Sequence, residues 1–74
     1  MMLNALEDGE SAIIESFDAQ DDLKRRFFSF GINKGTTIKK IKSTLMGSTI
    51  VVELNRSCVI LRSDEANKIR IRKI

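Results

Sequence analysis

Histidine, proline, tryptophan and tyrosine are all missing from this 74-residue chain, and cysteine occurs once. Each absence closes a line of chemistry. Without imidazole, neither a Ser-His nor a Cys-His nucleophile pair can be assembled. One thiol and no histidine cannot make a disulfide framework or an N/S metal site within one chain. Transition-metal sites usually draw on imidazole and thiolate beside carboxylate, so no intrinsic metal site and no cofactor are expected. The neighbouring carboxylates Asp21 and Asp22 fall at a helix start, where the helix dipole accounts for them. The chain is therefore not expected to be an enzyme. Long apolar runs are missing too, so no segment approaches the roughly 20 residues that cross a bilayer. The opening MMLNALEDGES has neither the basic start nor the apolar stretch of a secretion signal. A lone reduced cysteine suits the cytoplasm. Cys58, inside SCVILR, reads as a small buried hydrophobe rather than a reactive thiol.

What is present is charge, unevenly spread. Residues 1–22 hold seven acids and no base, whereas residues 23–74 hold all thirteen bases against three acids. In a domain this small the two halves can lie side by side and largely cancel. The acids of residues 7–22 then read as solvated surface. Only a basic face that survives folding would argue for an anionic partner.

The chain is long enough for one domain, residues 1–74, with a thin core. Met2, Leu3 and Leu6 can cover one end of it, and EDGE turns around Gly9. SAIIESF alternates as a strand, with Ala12 and Ile14 on one face and Ile13 on the other. Asp18 suits a helix N-cap. Leu23, Phe27 and Phe30 then share one stripe of a helix over about 19–30, with Asp21/Arg25 and Asp22/Arg26 spaced as surface pairs. Gly31 stands where a helix closes in a left-handed residue. G-I-N-K-G, with its glycines at Gly31 and Gly35, is thus helix-to-strand punctuation. A phosphate cradle needs the reverse order, with the glycines leading into a helix N-terminus. Strand-like TTIKKIK, a turn at STLMGS around Gly47, TIVVEL with Ile50, Val52 and Leu54 in phase, an N-R-S turn and CVILR follow. SDEANK supplies a short helical turn near 63–67 with Ser63 as its cap, and KIRIRKI ends the series. The sum is a mostly-β fold, a small closed or nearly closed barrel with one real helix after the first strand.

Four segments, LNALEDGESAII (3–14), RFFSFGINKG (26–35), LMGSTIVV (45–52) and VILRSDEANKIRI (59–71), resemble the ferrous iron transport protein A family, the FeoA-type domain, over nearly the whole chain. Members often carry proline where this sequence has Lys34 and Thr49. The resemblance implies an SH3-like β-barrel with a helix inserted after the first strand. It also implies a non-catalytic cytoplasmic accessory of ferrous iron uptake, with the cytosolic GTP-binding part of an iron permease as partner. A related module ends some iron-dependent repressors, which leaves a nucleic-acid-associated role as the alternative. The family pattern is structural and supplies no catalytic residues.

Protein docking needs an apolar anchor in a polar rim. Two candidates stand out: Leu45 and Met46 beside Gly47, and Phe28 with Arg25 on the helix. Each has a plainer reading, as a hairpin loop folded over the barrel end and as an aromatic at the edge of the core. KIRIRKI could also accept a strand at its edge, from a partner or a second copy, although its charges equally discourage that pairing. Nucleic acid is the weaker expectation: Lys39, Lys40, Lys42, Arg70, Arg72 and Lys73 could make a basic face, but aromatics to stack bases are scarce.

Overall fold

A computed structural model describes residues 1–55 and 57–74, with the side chain of Leu45 outside the description. Five antiparallel strands form one sheet: β1 (Ser11–Phe17), β2 (Thr37–Thr44), β3 (Thr49–Leu54), β4 (Ser57–Arg62) and β5 (Ile69–Lys73). Their order is β4-β3-β2-β1-β5, so the first strand is flanked by the second and the last. Helix α1 (Asp21–Ser29) joins β1 to β2, and the single-turn α2 (Ser63–Ala66) joins β4 to β5. Arg56, in the expected N-R-S turn, lies outside the described residues.

Strand alternation sets which side faces inward. Ala12 and Ile14 on β1, Ile50, Val52 and Leu54 on β3, and Ile69 and Ile71 on β5 are all buried. Leu3 and Leu6 cover one end, and Phe27 enters from α1. Each such aliphatic or aromatic group contributes about 1.5–3 kcal/mol when fully withdrawn from water. Register shifts between Ile14 and Ser16 and between Lys40 and Lys42 mark bulges, which bend a strand and tighten its twist. They curl the sheet around its core. The ladder itself stays open between β4 and β5, because α2 occupies that corner and buries Glu65 and Ala66 there.

Local signals place the helices with small corrections. Helix α1 starts after Gln20, whose carbonyl accepts from Lys24 N–H at 3.0 Å. Asp18 is not the cap, because its own N–H donates to the Lys68 carbonyl at 2.7 Å and ties it to the chain entering β5. At the other end Gly31 takes φ +84°. Its N–H reaches Phe28 O, and Ile32 N–H reaches Phe27 O at 2.9 Å. This paired closure satisfies two end carbonyls and brings buried Ile32 back against the last turn. Phe30, expected inside, is 37% exposed, since the helix ends before its stripe completes another turn. Helix α2 is capped by Arg62 rather than Ser63. The Glu65 carboxylate accepts from Arg62 N–H at 3.0 Å, filling the first-turn vacancy from within.

Candidate functional site: a groove beside the long helix

The end of β1, the outer side of α1 and the loop after it enclose an open groove of about 470 Å³ lined by Phe17, Lys24, Arg25, Phe28, Ile32, Asn33 and Lys34. Helix pitch explains the division of labour between adjacent phenylalanines. Phe27 points to the core and stacks on Phe17 with ring centroids 5.6 Å apart. Phe28 lies about 100° further round the helix and is 71% exposed. The plainer reading of Phe28 as an aromatic at the core edge therefore gives way, and Arg25 shares its groove.

Behind the groove α1 is anchored electrostatically. Arg26 forms a 2.6 Å ion pair with Glu65, which is 7% exposed, and its guanidinium also lies over the Phe30 ring. Arg26 thus spans to α2 instead of pairing with Asp22. Among the described residues the other ion pairs are Lys40–Asp8 and Lys73–Glu10. Lys24, Arg25 and Lys34 at the groove rim have no such partner. In the groove wall, Asn33 Oδ1 is buried without a hydrogen bond. A buried acceptor left open is uncommon and costs stability.

The second candidate lies at the tip of the β2–β3 hairpin. Met46 is fully exposed and holds φ 58°, beside Gly47 at φ +89°. The hydroxyls of Thr44 and Thr49 bond to each other at its base. Where the Leu45 side chain stands lies outside the described residues, and Met46 does not fold over the barrel end. The hairpin tip and the Phe28 groove are separate features with no lining residue in common.

The other surface expectations change more. Lys40 is 8% exposed: Nζ donates to the Leu6 carbonyl at 2.8 Å, with Asp8 at 3.6 Å. It clips the start of the chain to β2 and is withdrawn from any basic face. Lys73 pairs with Glu10 at 2.8 Å. That hydrogen bond, then the Glu7 N–H, lowers the Glu10 pKa from its ordinary value, and the same contact raises that of Lys73. Along β5, Ile71 N–H donates to Met1 O at 2.7 Å and Met2 bridges to Arg70. The edge of KIRIRKI is thus partly taken by the chain's own first residues. Cys58 is exposed, not buried. Strand β4 is an edge, and Cys58 stands opposite exposed Glu53 on its outward side.

The groove gathers residues that sequence reading left apart. Only Phe28 and Arg25 carried a signal there. Phe17 and Ile32 carried no site signal, and Lys24, Asn33 and Lys34 gave no hint beyond the basic character of the region. Gly35, at φ +87°, donates its N–H to Ile14 O at 2.8 Å and so fixes the loop that carries Asn33 and Lys34. Among the described residues no three His, Cys, Asp or Glu side chains are grouped as metal ligands, and no helix is long and apolar enough to cross a membrane.

Comparison with known proteins gives these features a family. A Campylobacter jejuni protein provisionally named Fe(2+) transport protein A is 53% identical over 74 residues, covering both chains fully. The crystal structure of Stenotrophomonas maltophilia FeoA complexed with zinc, described as a procaryotic SH3 domain protein, superposes with a TM-score of 0.84 at 26% identity. The superposition covers 97% of this chain and 89% of that one. The fold recurs in a manganese-dependent transcriptional repressor, with a TM-score of 0.90 at 24% identity, over all of this chain and 41% of that one. The FeoA domain model itself matches residues 1–73. With its SH3-like sheet and inserted helix, the chain belongs to the FeoA domain family.

Proposed function

We propose that the protein is a non-catalytic, cytoplasmic accessory of ferrous iron uptake that docks on the cytosolic GTP-binding part of an iron permease. The observation that carries the reading is an exposed aromatic in a cation-rimmed groove, on a chain of the FeoA family. The name of the Campylobacter jejuni relative supports the link to Fe(2+) transport. Docking biases the permease's conformation without any bond being made or broken by this chain. In a strain lacking the gene, uptake of radiolabelled Fe²⁺ falls and is restored by the wild-type copy. Unchanged uptake in that strain would end the proposal.

The repressor-type alternative is favoured by one observation, the shared fold of the manganese-dependent repressor. The burial of Lys40 and the pairing of Lys73 count against a phosphate-binding face. Binding to duplex DNA that weakens steeply with salt would move the assignment to this alternative.

A further inference from the structure

The groove beside α1 has two properties that together describe an occupant. Its apolar part, Phe17, Phe28 and Ile32, can hold one aliphatic or aromatic side chain. Its rim carries Lys24, Arg25 and Lys34, none of them in an ion pair among the described residues. Spaced carboxylates on a polypeptide answer three cations set around a single apolar seat.

We infer that this groove binds an acidic polypeptide segment that carries one apolar side chain. The apolar group seats on Phe28, and flanking carboxylates meet Lys24, Arg25 and Lys34. Charge complementarity selects acidic over basic segments and raises the association rate. The apolar seat supplies the part of the affinity that salt does not screen. The inference names the docking face of the function proposed above, and for the identity of the partner it rests on that reading.

The test is an amide-shift titration of the isotope-labelled full chain with the capped peptide Glu-Asp-Ser-Phe-Asp-Glu and its counterpart with lysine at the four acidic positions. Saturable shifts are expected at Lys24, Phe28, Asn33 and Lys34, with the acidic peptide preferred by about tenfold or more. Phe28→Ala is expected to weaken binding about tenfold, and Lys24→Glu with Lys34→Glu to reverse the charge preference. The amide spectrum of each variant shows whether it remains folded. No saturation up to millimolar peptide, equal binding of both peptides, or shifts confined to other residues would overturn the inference. So would a single-stranded DNA dodecamer that saturates the same residues more tightly. Titration with the permease's soluble GTP-binding portion separates the two proposals. Binding that survives the groove substitutions refutes this face alone, whereas acidic-peptide binding without permease binding refutes the partner alone.

Discussion

Phe28 beside α1 and Met46 at the β2–β3 tip are both strongly exposed, yet their surroundings are opposite. Phe28 has walls: Phe17 and Ile32 beside it, three cations around it and an unmet amide oxygen close by. Met46 has none, and projects from a hairpin turn on a left-handed backbone. The first can receive a side chain, while the second can only be received. Exposure of an apolar group thus leaves the direction of recognition open, and concavity with polar complementarity decides it.

That contrast can be strained at its strongest point first. Phe27→Ala removes the ring that stacks on Phe17 and should destabilise the fold by about 3–5 kcal/mol, a large share of the roughly 4–11 kcal/mol expected for a chain of this length. Urea unfolding measures the loss, and a cost below about 1 kcal/mol would show that the groove does not depend on this support. Glu65→Ala releases α1 from α2 and leaves Arg62 N–H without its acceptor, for about 1–3 kcal/mol. The loss stays moderate because Arg26 is half exposed and can rehydrate. Met46→Gly should stabilise the hairpin by about 0.5–1 kcal/mol, since glycine accepts this φ without the clash a Cβ brings. A destabilised variant would instead reveal contacts made by the methionine. Phe28→Ala should change stability by less than about 0.5 kcal/mol, in contrast to its neighbour, and a larger loss would return Phe28 to the core.

The smallest effect involves residues of neither feature and serves as a control. The Glu10 carboxyl is lowered by Lys73, so its contribution is present above its ordinary value of 4.5 and is lost as pH falls through the lowered value. Lys73 is raised, so its share persists below its ordinary value of 10.5 and fades as pH rises through the raised value. Glu10→Gln should flatten the acid side of the stability profile slightly in urea melts between neutrality and about pH 3. A full-sized acid slope in this variant would assign that slope to other carboxylates.

The periodic parts of the fold were legible because their periodicity follows from burial. Alternation in SAIIESF and TIVVEL, the Phe27 position and the closing glycine at Gly31 each follow from one backbone geometry. Lys40 was not legible, since a pattern reading places lysine in water, whereas here a carbonyl 34 positions away accepts its hydrogen bond. Cys58 misled because an apolar run reads as a buried strand until its place at the sheet edge is known. The groove was half visible: helical phase turned Phe28 and Arg25 outward, but nothing local tells that Asn33 and Phe17 meet beside them. Sites assembled across a strand, a helix and a loop depend on tertiary register, which composition does not carry.

The position of β1 between β2 and β5 has a consequence for how the molecule is made. Residues 12–17 find one of their two partners only at residues 69–73, so this side of the sheet cannot be completed during synthesis until β5 has cleared the ribosome exit. Loop closure over such a separation precedes its reward and slows folding. Until then β1 keeps an open edge, a row of unpaired N–H and carbonyl groups on which another strand can pair.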